Sequence, residues 1–213
     1  MPLEATRIIA IRHGETDWNA DTRIQGHTDI PLNAHGRWQA QCLTQALADE
    51  PLQAVYASDL GRAVETAAAF AQAAGLPVQR EPGLRERRFG CFEGLRFDEI
   101  EQRWPEDSLR WRRRDPDFGP EGGETLRAFY DRCVTAAAQL AARHPGQSIA
   151  LVSHGGVLDC LYRAATRLDL QAPRTWQVGN AAVNRLLHTP QGFMLVGWSD
   201  DMHLARPALD EPA

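Results

Sequence analysis

Two histidines follow short apolar runs at widely separated points of the chain. Residues 8–11 lead into Arg12 and His13, and residues 148–152 lead into Ser153 and His154. Short apolar runs of this kind predict buried strands, and the residues that follow such strands in an α/β sheet lie where ligands bind. We therefore expect the two histidines to face each other, with an arginine beside them. The alternative is that both are ordinary turn residues.

A further cation is expected near the same crevice. A helix is predicted to begin after Ser58 or Asp59, which places Arg62 in its first turn. The helix dipole disfavours a cation there by a few tenths of a kcal/mol to about 1 kcal/mol, and a bound anion would offset that cost. A solvated arginine, or one paired with Glu65 or Glu15, is the alternative.

This combination of side chains favours phosphoryl transfer. A neutral imidazole can attack phosphorus, which makes His13 the predicted nucleophile. Arg12, Arg62 and His154 would stabilise charge on the equatorial oxygens. The nearby cations also disfavour protonation of His13 and so keep its attacking nitrogen free.

A carboxylic acid must protonate the leaving oxygen, and Glu86 is the predicted donor. Glu15 and Glu93 are the alternatives. Three arginines flank the predicted donor: Arg85, Arg87 and Arg88. They would favour its ionised form if they pointed inward, so we expect them to point away.

Composition excludes several other classes of protein. All 23 basic residues are arginine, which rules out a Walker-type phosphate loop and a Schiff-base lysine. The net charge of −5 disfavours a nucleic-acid partner. The arginine-rich run 110–114 is surrounded by acidic residues and is predicted to be a solvated face.

Two alternatives to phosphoryl transfer remain open. The first is an iron site, in which a facial triad is formed by His13, His154 and one carboxylate. Two arginines beside these residues would repel the metal. A phosphate-binding module without turnover is the second. We predict no metal and no required cofactor.

The length of 213 residues suits one domain, and no linker is visible. No apolar run approaches a membrane span and the start lacks a signal segment, so we expect a cytoplasmic protein without a membrane partner. The four cysteines are far apart in sequence and are predicted to be reduced. The oligomeric state, monomer or homodimer, is open.

The pattern of apolar residues predicts an α/β fold that ends in an antiparallel hairpin. Predicted strands cover residues 8–11, 53–57, 76–79, 148–152, 181–188 and 193–198. Predicted helices cover residues 33–49, from 58 or 59 to 74, 97–104, 108–114, 125–143 and 156–168. Residues 204–213 are predicted to be a loose tail.

The motifs resemble, in order, the signature of the histidine phosphatase superfamily, the phosphoglycerate-mutase-like proteins. They are Arg12-His13-Gly14-Glu15-Thr16, Trp18-Asn19, Arg23, Gln25-Gly26, Asp29, Pro31-Leu32, Gly36, Ser58-Asp59-Leu60, Arg62-Ala63, Thr66, Glu86, Glu93-Gly94 and Ser153-His154-Gly155-Gly156. The resemblance spans residues 7–198.

The resemblance implies a Rossmann-like three-layer α/β/α sandwich with a mostly parallel sheet. It implies a phosphorylated His13 and a phosphate pocket of Arg12, Arg62 and His154, with Glu86 as proton donor. Further contacts to phosphate or substrate would come from Asn19, Gln25, Gly26, Ser58 and Gly155.

The branch of the family depends on the segment of about residues 85–125, which is predicted to cover the site. Mutases of this family usually have a longer, lysine-containing segment there, so the chain looks more like a phosphatase. We expect hydrolysis of a small phosphate ester with release of inorganic phosphate. The alternative is a mutase that depends on 2,3-bisphosphoglycerate. The natural substrate is open.

Overall fold

The computed structural model describes residues 4–205, and its central feature is a six-stranded mixed sheet. The strands are β1 (Thr6–Arg12), β2 (Leu52–Ala57), β3 (Val78–Arg80), β4 (Ser148–Ser153), β5 (Val183–Thr189) and β6 (Gly192–Asp200). Their spatial order is β3-β2-β4-β1-β5-β6. The first four in this order are parallel, and β5 and β6 are antiparallel. The predicted α/β fold with a C-terminal hairpin is confirmed.

Helices connect most of these strands. They are α1 (Asp17–Ala20), α2 (Ala34–Ala46), α3 (Gly61–Ala73), α4 (Phe97–Arg103), α5 (Pro105–Arg112), α6 (Leu126–Ala142) and α7 (Gly155–Thr166). The prediction for α5 was wrong at its start, which lies at Pro105 rather than Ser108. Proline suits the first turn of a helix, because its missing N–H would have no partner there.

The alternation of side chains along β1 creates two separate cores. Ile9 and Ile11 pack on one side with residues of α2 and α3. Ile8 and Ala10 pack on the other side with residues of α6 and α7. β4 lies beside β1, and all six of its residues are buried. The two strands that end in His-Gly are thus held rigidly in the middle of a three-layer structure.

The segment 85–125 has a small core of its own. Phe92, Ile100 and Phe118 are buried there, and Trp104 and Trp111 pack against them. The predicted tail at 204–213 begins differently, because Leu204 ends a short 3-10 turn and packs against the α2 and α3 side of the sheet. Residues 206–213 lie outside the described residues. Among residues 4–205, no helix has the length and apolarity that crossing a membrane requires.

Candidate active site

The parallel pairing of β1 and β4 brings the two histidines together. Arg12 lies opposite Ser153 in the register, so the next residue of each strand emerges at the same edge of the sheet. The rings of His13 and His154 meet edge-on, with centroids 5.2 Å apart. Both side chains are buried. The pair that the sequence predicted is therefore formed by direct strand neighbours.

His13 is held in one tautomer. Its Nδ1 lies 2.7 Å from the carbonyl oxygen of Gly14, which can only accept, so Nδ1 carries the proton. Burial lowers the pKa of His13 well below its ordinary value, and the charges of Arg62 and Arg12 lower it further. The imidazole is consequently neutral, and the lone pair on Nε2 is free to attack.

Ser58 orients His154 from behind. Its Oγ lies 2.8 Å from Nε2 of His154 and is fully buried. Nδ1 of the histidine has no hydrogen-bond partner among the described residues. Burial, followed by the charge of Arg62, lowers the pKa of His154 well below its ordinary value. The serine thus contacts the histidine rather than lining the cavity itself.

The loop after β1 wraps around the buried guanidinium of Arg62. Its Nη1 donates to the carbonyl of Thr28 at 3.0 Å, and its Nη2 donates to that of Gly26 at 2.8 Å. Asp29 lies 3.6 Å away. Burial is the largest cause that lowers the pKa of Arg62. The predicted alternative of pairing with Glu65 or Glu15 is not found in the described structure.

Asp29 also corrects the predicted start of α3. Neither Ser58 nor Asp59 caps this helix, whose N-cap residue is Leu60. The N–H of Gly61 instead donates to Oδ2 of Asp29, at 2.8 Å. A carboxylate from a distant loop therefore satisfies the helix start and offsets part of the cost of the cation in its first turn.

Arg12 completes the cationic wall. Its Nη1 donates to the carbonyl of Val178 at 2.7 Å. Burial lowers its pKa to about 10, while the charge of Glu86 opposes this and that of Arg174 adds to it. The group still stays protonated at neutral pH. Gly155 lies beside it, since a Cβ there would be 3.5 Å from Nε of Arg12.

A cavity of about 180 Å³, which we call the anion cavity, opens between these groups. Its lining includes Arg12, His13, Asn19, Gln25, Gly26, Arg62 and Glu86. Nε of each arginine and Oε1 of Gln25 have no hydrogen-bond partner among the described residues. The two Nε–H groups are donors that an anion with several oxygens would satisfy, whereas the amide oxygen of Gln25 is an acceptor and needs a donor such as a water or a hydroxyl group.

Glu86 is the candidate carboxylate that lines the anion cavity. Its Oε1 accepts from the N–H of Arg87 at 2.8 Å, and its Oε2 accepts from the N–H of Gly156 at 2.9 Å. Glu15 accepts from Asn33 at the start of α2 instead. The carboxyl group of Glu86 is thus fixed by two backbone donors at the edge of the cavity.

The last alternative, Glu93, is engaged elsewhere. Its carboxylate accepts from the backbone of His27, from Thr28 and from the backbone of Phe89. It braces the loop that carries Gln25 and Gly26.

The arginines that flank Glu86 behave differently from one another. Arg85 turns away and holds Asp59 with two hydrogen bonds of 2.6 Å. Arg88 is exposed. Arg87 is buried, donates to the carbonyls of Glu124 and Phe118, and lines the neighbouring cavity. The expectation that all three point away from the site was wrong for Arg87.

Sequence reasoning missed the loop between α7 and β5. Nδ2 of Asn180 donates to the carbonyl of His13 at 2.9 Å and approaches Oδ1 of Asn19 at 3.3 Å. The N–H of Ala181 donates to the carbonyl of Arg12 at 2.9 Å. Thr66 was also missed as a support; it accepts from the N–H of Gly14. No motif in the loop signals these contacts, which arise because β5 pairs with β1.

A second, larger cavity adjoins the first. This outer cavity has a volume of about 410 Å³ and shares Glu86 and Phe89 with the anion cavity. Trp111 and Phe97 are stacked in its wall, with centroids 4.6 Å apart. Several residues of segment 85–125 thus line the outer cavity. Among residues 4–205, no three His, Cys, Asp or Glu side chains form a metal-binding group.

Comparisons with known proteins agree with this geometry. The family model of the histidine phosphatase superfamily, branch 1, matches residues 8–201. An Arabidopsis thaliana protein named phosphoglycerate mutase-like protein 4 is 40% identical over 95% of this chain and 88% of its own length. A metal-independent phosphoserine phosphatase of the same plant is 38% identical over 95% of this chain and 84% of its own length.

A solved structure is also similar. The phosphoserine phosphatase of Entamoeba histolytica, in complex with 3-phosphoglyceric acid, has a TM-score of 0.84 and 26% identity. The match covers 94% of this chain and the whole of that one.

Proposed function

The chain belongs to the histidine phosphatase superfamily, and from that premise we propose that it is a metal-independent phosphomonoesterase acting on small phosphorylated metabolites. The family makes it an enzyme of the phosphatase or phosphomutase type. The observation that carries the proposal is the neutral, buried His13, whose Nε2 is unprotonated beside the buried Arg62 and the half-buried Arg12.

In the first half of the reaction, Nε2 of His13 attacks phosphorus while the bond to the leaving oxygen breaks. Glu86 gives its proton to that oxygen, and the free alcohol departs through the outer cavity. Arg12 and Arg62 balance the charge of the transferring phosphoryl group, which is where electrostatic stabilisation matters most. The hydrogen bond from Nδ1 to Gly14 stabilises the positive charge that develops on the ring.

In the second half, water attacks the phosphohistidine and breaks its P–N bond. Glu86, now ionised, accepts a proton from the water, and inorganic phosphate leaves with His13 again neutral. His154 and Asn19 line up the phosphate oxygens, and Ser58 acts through His154. Gln25 and Gly26 complete the walls around the phosphate, and Gly155 lies beside Arg12.

The outer cavity of about 410 Å³, which borders Glu86, supports hydrolysis over isomerisation of phosphoglycerate, because hydrolysis requires that water reach this carboxylate. The resemblance to phosphoglycerate mutase-like protein 4 keeps the bisphosphoglycerate-dependent mutase as the second candidate. The names of the other relatives support phosphorylated small molecules as substrates. A phosphate-binding module without turnover is the third candidate.

Several further features belong to the proposal. It needs no metal, which the name of one relative says of that protein, and we propose no other cofactor. Nucleic acid and membranes are not among the proposed partners. All four cysteines lie within residues 4–205 as free thiols, as expected in a reducing compartment such as the cytoplasm. We propose a single domain in which segment 85–125 covers the site. The molar mass in solution distinguishes a monomer from a homodimer.

The test is the transfer of a labelled phosphoryl group to the protein. With a labelled aryl phosphate, the wild type should show an acid-labile phosphohistidine in rapid-quench experiments, and His13→Ala should show neither label nor turnover. His35→Ala, which removes an exposed histidine, is the matched control. Turnover retained by a folded His13→Ala protein would refute the mechanism.

A panel of phosphorylated metabolites then separates the two enzyme candidates. It includes 3-phosphoglycerate with and without 2,3-bisphosphoglycerate. We expect release of inorganic phosphate to exceed isomerisation; the opposite result would identify a mutase.

A further inference from the structure

Arg174 stands apart from the other arginines around the outer cavity. It lies on the loop between α7 and β5 and lines that cavity with an exposed side chain. Within the described part of the chain, its guanidinium has no hydrogen-bond or ion-pair partner. A cation at a cavity wall with no protein partner has its full donor capacity available to a ligand.

The other arginines of this cavity are engaged. Arg112 pairs with Glu101, and Arg114 donates to Asp159 at 2.7 Å. Arg87 donates to two backbone carbonyls. These three groups hold the cavity wall together, so part of the donor capacity of each is used within the protein.

The loop that carries Arg174 is anchored directly after this residue. Trp176 stacks on Tyr162 with ring centroids 4.0 Å apart, and the guanidinium of Arg163 lies 4.9 Å above the indole. Nε1 of Trp198 donates to the carbonyl of Gln177 at 2.9 Å. These contacts restrict the positions that the side chain of Arg174 can reach. The charge of Arg174 also lowers the pKa of Arg12 in the anion cavity.

The outer cavity combines this cation with an apolar wall. The aromatic rings of Phe89, Phe97, Trp111 and Phe129 are part of its lining. With a volume of about 410 Å³, it is more than twice as large as the anion cavity of about 180 Å³. A leaving group of several apolar atoms can pack against these rings. A charged group at its far end can then lie near the loop that carries Arg174.

We propose that Arg174 is a specificity-determining residue that selects phosphate esters whose leaving group is aromatic or otherwise apolar and ends in an anion of its own. This assignment rests on the proposed phosphatase function. Arg174 takes no part in the chemistry; it adds a charge-assisted hydrogen bond to one end of the substrate while the phosphate lies between Arg12 and Arg62.

The experiment compares two neutral–anionic pairs of aryl phosphates. The first pair is 3-carboxyphenyl phosphate and the isosteric 3-carbamoylphenyl phosphate. The second pair has the same two groups at ring position 4. The readout is the ratio of kcat/KM for the carboxylate to that for the carboxamide, which cancels effects on the shared chemistry. We expect a ratio of about ten for at least one isomer in the wild type.

Substitutions at position 174 should change this ratio in a graded way. Arg174→Gln should bring it to about one, Arg174→Glu should invert it, and Arg174→Lys should keep part of it, because only the planar fork is lost. The matched control is Arg143→Gln, which removes the same charge before β4 on the side away from His154. It should keep the wild-type ratio.

Two failures are distinguishable. A wild-type ratio near one for both isomers, or a ratio that survives Arg174→Gln, would overturn this assignment while leaving the phosphatase intact. Absence of turnover for all four substrates would refute the phosphatase, and this assignment with it.

Discussion

Acidification should destabilise the protein through the same two histidines that form the site. His13 and His154 are 3% and 0% exposed, and burial, then nearby arginines, lowers the pKa of both well below the ordinary histidine value. In the unfolded chain they regain an ordinary pKa of about 6.5. The unfolded state therefore binds more protons as the pH falls below that value, and stability is lost.

The size of the effect follows from linkage. A group whose folded pKa is depressed contributes its full stability above the unfolded pKa. It loses this stability as the pH falls from there towards the folded pKa, by up to about 1.4 kcal/mol per pH unit. The two buried histidines together approach twice that slope. The free energy of unfolding of a typical domain is about 5–15 kcal/mol. The part of it that is lost when the pH falls by one and a half units is therefore large.

Urea unfolding between pH 7.5 and pH 5 in phosphate-free buffer measures the slope. His13→Gln and His154→Gln should each remove up to about 1.4 kcal/mol per pH unit from it. The control is Ile9→Val in the sheet core, which costs about 1 kcal/mol but removes no titratable group, and so keeps the wild-type slope. An unchanged slope in both histidine variants would refute the reasoning.

Three further substitutions test how the site is supported. Gly36→Ala should cost about 1–3 kcal/mol, because a Cβ there would overlap the carbonyl oxygen of Glu15. Asp29→Ala should cost about 0.5–2 kcal/mol, since it removes the acceptor for the N–H of Gly61, and should lower kcat/KM through Arg62. Phe92→Ala should cost about 3–5 kcal/mol by opening a cavity in the core of segment 85–125, and should raise KM. Urea unfolding and steady-state kinetics measure all three.

Each of these has its own control or contrary result. Gly75→Ala adds a Cβ where no atom lies within 4 Å, so only the cost of a positive φ remains, and Gly36→Ala should exceed it. Asp29→Asn keeps the acceptor for the helix start but loses the charge, so equal stability of Asn and Ala variants would count against the capping role. An unchanged KM in Phe92→Ala would contradict a covering role for the segment.

The sequence by itself determined the fold class and most of the residues that line the anion cavity. The continuous apolar runs 8–11 in β1 and 149–152 in β4 predict strands, and polar residues directly after them lie at the ligand-binding edge of an α/β sheet. Arg12 and His13, which line the anion cavity, and His154, which packs against His13, were found in this way, because local residue types carry that information. Arg62 was found from its unusual position at a helix start.

Only the tertiary structure decided which of several equivalent residues lies at the anion cavity. Three glutamates were candidates for the acid, and Glu86 alone among them lines the anion cavity, because two backbone donors from different segments hold it there. The helix start of α3 is satisfied by Asp29, which lies 32 residues away from Gly61 in sequence. Neither choice leaves a local signal.

The loop that carries Arg174 and Asn180 is the clearest case. It contains no motif, and it reaches the site because β5 runs antiparallel beside β1 and delivers the preceding loop to the carboxyl end of that strand. Strand order depends on how whole layers of helices pack against a sheet, and a local pattern does not encode it. The sequence thus determined which reactive residue types follow the central strands, and the packing of distant segments decided the geometry in which they meet.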